Sequence, residues 1–154
     1  MLQAERVLLA SHGTPGARAA ERVALELAAP GATLFHLVVV PDFWRGMMGD
    51  DWLNNASTRA AYGRHVEAEL AREIEEHRAV LETAVRAGGR RYELKVVIAQ
   101  PDAALLEYAA ELRPDFVVIG APRPKGAPGL RSRMRIEKLV GVLGAPLLVV
   151  PYPR

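Results

Sequence analysis

The chain has no cysteine, which removes disulfides, thiol nucleophiles and cysteine-ligated metal from consideration and fits a reducing compartment. It has no long apolar run, so no membrane-spanning segment is expected. Met1 to Arg6 is polar and Val7 to Ala10 is too short for the apolar centre of a signal peptide, so the expected location is the cytoplasm. Nor is there a strong excess of one charge. The formal net charge is +2, and the field of the whole molecule gives no reason to expect nucleic acid. No internal repeat or low-complexity segment is visible.

What is present is the composition of a soluble globular protein: half the residues are hydrophobic and a quarter charged, interleaved in short blocks. A length of 154 residues suits one domain over 1–154, able to bury roughly 70% of its unfolded surface. The block Arg6-Val-Leu-Leu-Ala10 reads as a strand covered on both faces. Thr14 can cap a helix with Pro15 in its first position, and Ala20, Val23, Ala24, Leu27 and Ala28 form one apolar stripe before Pro30-Gly31 stops it. Thr33 to Val40 is a second strand ended by Pro41. The helical period returns from Thr58 to Ala87, with Val66, Leu70, Ile74, Leu81 and Val85 on one stripe before Gly88-Gly89. Tyr92 to Ile98 is a third strand. Gln100-Pro101 opens a helix that faces inward with Leu105, Leu106, Ala109 and Leu112 and stops at Arg113-Pro114. Phe116 to Ile119 is a fourth strand, Ser132 caps a last helix with Ile136, Leu139, Val140 and Leu143 inward and Gly144 as its stop, and Pro146 to Val150 is a fifth strand.

Strands alternating with helices imply right-handed crossovers and a doubly wound parallel sheet with helices on both faces. Such sheets bind ligands at the carboxyl ends of strands near the switch in strand order, here the loops after the first and fourth strands.

The opening Arg6-Val-Leu-Leu-Ala-Ser-His-Gly-Thr14, the run Gln100-Pro-Asp-Ala-Ala-Leu-Leu-Glu-Tyr-Ala109, Pro114-Asp-Phe-Val-Val-Ile-Gly120 and the closing Glu137 to Val150 together resemble the universal stress protein family over nearly the whole chain. The resemblance implies a five-stranded α/β sheet of order 3-2-1-4-5, of the nucleotide-alpha-hydrolase-like kind. It also implies a stress-response or regulatory module and a homodimer joined through strand 147–150, with an unknown protein partner downstream. ATP-binding members carry a glycine, two residues, a second glycine, nine residues, then Gly with Ser or Thr. Glycines there let the backbone approach phosphates while N–H groups and the helix terminus face the anion. This chain keeps Gly120 but has Arg123, Arg133 and Met134 at the other positions, and His12 where nucleotide binders end the first strand with an acidic residue. A side chain in a left-handed position costs about 1–2 kcal/mol and fills the space a phosphate needs, so no cofactor is expected, with ATP as the alternative.

The crevice so implied comprises Ser11, His12, Leu37, Gly120, Arg123, Lys125, Arg133 and Met134. Between Asp115 and Glu137 there is no acidic residue, while Arg123, Lys125, Arg131, Arg133 and Arg135 all fall there. One reading is a solvated basic loop; the others are an anion or nucleotide held by arginine forks in place of glycines. An enzyme acting on a small anionic metabolite with His12 as acid or base is a further alternative, but no carboxylate accompanies His12 in sequence, so no catalytic residue is assigned. His36, inside an apolar strand, reads as a hydrogen-bonded core residue, and His77 as a buried or seam residue. His65 has only Glu69 at helical spacing, and no structural metal is expected. The loop 41–57, with Asp50, Asp51, Trp44 and Trp52, reads as packing on helix or subunit, with a lid as the alternative.

Overall fold

The computed structural model describes residues 3–10, 15–41, 72, 75–121 and 135–153. Among the described residues, five strands, β1 (Ala4–Ala10), β2 (Ala28–Pro41), β3 (Arg91–Ala99), β4 (Phe116–Gly120) and β5 (Leu147–Val150), alternate with four helices: α1 (Pro15–Leu27), α2 (residues 75–87), α3 (Pro101–Leu112) and α4 (Ile136–Leu139). The strands pair in parallel in the order β3-β2-β1-β4-β5, as the alternating pattern and the family resemblance imply.

The central strand shows why the sheet must be covered twice. Val7, Leu8 and Leu9 of β1 are all fully buried, although consecutive strand residues point to opposite faces. Val7 and Leu9, with Leu34 and Val118, pack against Ala20 and Ala24 of α1 and Leu81 and Val85 of α2. Leu8, with Phe35, Leu37, Val117 and Ile119, packs against Leu105 and Ala109 of α3 and Leu139 of α4. Each such leucine or valine contributes roughly 1.5–3 kcal/mol by leaving water. At the opening of β4, Asp115 Oδ2 accepts the backbone N–H groups of Glu5 and Arg6, both at 3.0 Å, which sets β4 beside β1.

The third helix follows its sequence signals closely. Gln100 caps it in an extended conformation, Pro101 takes the first turn, and Arg113 closes it with a left-handed φ of 51°. Helix α2 ends at Gly88-Gly89, with Gly89 at a φ of 75°. Val66, Leu70, Ile74 and the expected caps Thr14 and Ser132 lie outside the described residues, as does the loop beyond Pro41. Among the described residues no helix is long and apolar enough to cross a membrane.

Two expectations are corrected. Helix α1 ends at Leu27 and β2 begins at once at Ala28. Its pairing with β1 then jumps from Ala4–Ala28 to Arg6–Thr33. Pro30 cannot donate to a ladder and Gly31 has a φ of 81°, so these residues form an irregular strand opening and not only a helix stop. The last helix is also shorter than its periodicity suggests. Val140 already has an extended ψ of 125°, Gly141 turns the chain at a φ of 85°, and Val140 is 68% exposed. A glycine placed here lets the chain leave the helix three residues before Gly144, so Ile136, Leu139 and Leu143 remain inward without Val140.

Candidate functional site

Strand β1 lies between β2 and β4, and the chain runs outward to β3 on one side and to β5 on the other. The order of strands therefore reverses between β1 and β4, the place where ligands bind in sheets of this kind. Ala10 closes β1 between Leu37 and Ile119. Gly120 follows on β4, paired with Val150, and the N–H of Ala121 donates to the Val150 carbonyl at 2.7 Å.

Of the residues marked by the sequence, Leu37 and Gly120 are described. Leu37 is buried in the core with Leu105 and Leu139. Gly120 sits at the end of β4, where the basic loop departs. Ser11, His12, Arg123, Lys125, Arg133 and Met134 lie outside the described residues.

Asp102 is a participant that sequence reasoning missed. It occupies the first turn of α3 and is 3% exposed. Its Oδ2 accepts both Nε and Nη2 of Arg135, each at 2.9 Å. Arg135 leads into α4 with a half-exposed side chain. The sequence counts it with the cations of the basic loop; the fold gives it a carboxylate from the neighbouring helix α3. Oδ1 of Asp102 has no hydrogen-bond partner among the described residues. The available signal was Pro101-Asp102, an acidic residue at a helix start, where the macrodipole favours it. Its partner, thirty-three positions away, left no local trace.

On the opposite face of the sheet, His36 is fully buried and its Nδ1 lies 2.7 Å from the Tyr92 hydroxyl. This is the hydrogen-bonded core histidine the sequence suggests. Burial holds the Tyr92 phenol well above its ordinary range. His77 faces inward from α2 and its Nε2 bonds Glu21 Oε1, with the two histidine rings 6.1 Å apart, edge to face. Glu21 is buried on α1 among Ala17, Ala20 and Ala24, whose small side chains let that helix approach the sheet. One ligand atom from each of Glu21, His36 and His77 lies within 4.8 Å of the others, so these three residues can hold a metal ion.

The model of the universal stress protein family matches residues 3–151. Among solved structures, the hypothetical protein MJ0577 superposes with a TM-score of 0.72 at 12% identity, covering 97% of each chain. A universal stress protein family member from Burkholderia pseudomallei superposes with a TM-score of 0.64 at 20% identity, covering 96% of each. A family protein from Arabidopsis thaliana, described with AMP bound, gives 0.56 at 16%, covering 96% of this chain and 91% of its own. At these identities the superpositions establish the fold. A search of curated proteins by sequence finds no match.

Proposed function

The chain belongs to the universal stress protein family, and from that premise we propose that it is a regulatory stress-response module which does not bind ATP in the manner of the glycine-motif members. The observation that carries this reading is the substitution of Arg123, Arg133 and Met134 at three of the four phosphate-loop positions, with only Gly120 retained. Backbone N–H groups cradle a phosphate only where the chain can turn left-handed and approach it closely, and arginine at two of those positions opposes both. Asp102 supports the reading from a second side. Its carboxylate neutralises Arg135, so the positive field facing a nucleotide is weaker than the run of basic residues suggests.

Output then passes through protein contacts, and the module acts as a homodimer through β5. Support comes from the edge position of β5 in the sheet and from apolar side chains left exposed on it and in the segment leading into it: Leu148 at 37%, and Val140 and Val142 at 68% and 69%. An uncovered apolar edge strand is a feature that proteins pair or shield. A two-fold pairing covers both copies at once.

One observation favours a second reading, a nucleotide switch that replaces glycine cradles by arginine forks: the Arabidopsis thaliana protein of similar fold is described with AMP bound. Unfolding in the presence of Mg-nucleotide separates the two readings, because only the second predicts stabilisation.

A further inference from the structure

We infer that Glu21, His36 and His77 form a site for a divalent cation of the zinc class, buried between α1, β2 and α2 and separate from the crevice at the carboxyl ends of β1 and β4. Each element contributes one ligand: a carboxylate from α1, an imidazole from β2 and an imidazole from α2. Their donor atoms lie within 4.8 Å of one another. A zinc ion holds its nitrogen and oxygen ligands at about 2.0–2.2 Å, which places tetrahedral neighbours about 3.3 Å apart. The donors thus lie within reach of that spacing once Glu21 and His77 part and the ligand atoms draw in around an ion. In the structure Glu21 bonds directly to Nε2 of His77; the ion takes the place of the hydrogen held between them.

The donor set selects the metal class. Two imidazoles with one carboxylate suit zinc and its late first-row neighbours, whereas calcium and magnesium call for oxygen ligands throughout. Three protein ligands leave a fourth position for water. The surroundings also have the form of a metal site. Nδ1 of His36 is bonded to the Tyr92 hydroxyl at 2.7 Å, which fixes the ring and makes Nε2 the nitrogen that takes the ion. In the metal-bound form Nδ1 carries the proton and donates to the hydroxyl oxygen, the outer-shell pattern that orients metal-binding histidines. The site is buried yet reachable, for His36 is fully enclosed while the Glu21 and His77 side chains are 11% and 12% exposed. An ion there ties α2 to α1 and to the sheet, and so fixes the helix that follows the long segment after β2.

The test uses the untagged full chain, stripped of metal by a chelator. Zinc is expected to bind with a stoichiometry of one and to raise the unfolding midpoint. Cobalt(II) is expected to give the intense visible bands of a four-coordinate ion, and zinc to move the ring resonances of His36 and His77 in the NMR spectrum. Glu21→Gln and His77→Gln each weaken zinc by about a hundredfold or more, and Tyr92→Phe by about tenfold. The double variant His12→Gln/His65→Gln removes the other two histidines of the chain and leaves binding unchanged. Because the ring resonances are read in the unmodified protein, the test stands even if a ligand variant fails to fold. Absence of stoichiometric zinc binding, ring shifts confined to His12 or His65, or a folded Glu21→Gln protein that keeps full affinity would each overturn the site.

Discussion

Asp102 in the first turn of α3 and Arg135 at the start of α4 meet with two nitrogens of one guanidinium on a single carboxylate oxygen, both at 2.9 Å. The two sides of this pair are unequal: the Asp102 side chain is 4% exposed and that of Arg135 is 53%. Removing the arginine strands a buried carboxylate, whereas removing the charge of the aspartate leaves a guanidinium that water can solvate. Arg135→Ala is therefore expected to cost on the order of 2 kcal/mol, less than the loss of a partner in a fully buried pair, and Asp102→Asn clearly less than Arg135→Ala. Urea unfolding of the two variants checks the order. Equal losses would show that the pair is solvated on both sides.

Tyr92→Phe removes the hydroxyl from Nδ1 of His36 and is expected to cost about 1 kcal/mol at neutral pH. Its larger signature is in alkali. Burial raises the folded-state pKa of Tyr92 above the ordinary 10.0, so the neutral phenol's contribution is fully present below pH 10 and drains away as pH rises past it. The parent protein should lose stability more steeply above that pH than Tyr92→Phe does. Tyr108, also raised by burial, keeps the variant's curve from becoming flat. Identical alkaline slopes for parent and variant would contradict the buried phenol.

How much of this was legible in the sequence depended on how local each cause was. Helix α3 could be read end to end, because Pro101 fixes the first turn and Arg113-Pro114 forbids continuation. The sheet was readable from apolar runs buried on both faces, and its strand order came with the family resemblance. The end of α4 was misread because Val140 and Leu143 fit the helical period, while Gly141 supplied an earlier exit that periodicity does not weigh. The cluster of Glu21, His36 and His77 was invisible for a different reason. Metal-ligand spacing is recognisable when ligands share a loop or helix face, but Glu21 and His77 are fifty-six positions apart and converge only when α1 and α2 dock on the same side of β2. Asp102 escaped notice for the same reason.

The dimer proposal makes a surface prediction. Leu148→Lys on the edge strand, or Val142→Asp in the segment leading into it, places a charge on an exposed apolar position and is expected to raise the dimer dissociation constant about tenfold or more, a loss of about 1.4 kcal/mol. Sedimentation velocity over a concentration series checks it. A parent protein that sediments as a monomer at all concentrations, or variants that remain dimeric, would move the interface elsewhere or remove it.

The altered phosphate loop is checked by thermal unfolding with and without millimolar Mg-ATP, Mg-ADP and AMP. A ligand present at 100 times its dissociation constant adds about 2.7 kcal/mol to stability and visibly raises the midpoint. The substitutions at Arg123, Arg133 and Met134 predict no shift with any of the three. A reproducible rise that vanishes in Arg123→Ala or Arg133→Ala would contradict the account and make the basic loop a nucleotide clamp built from side chains.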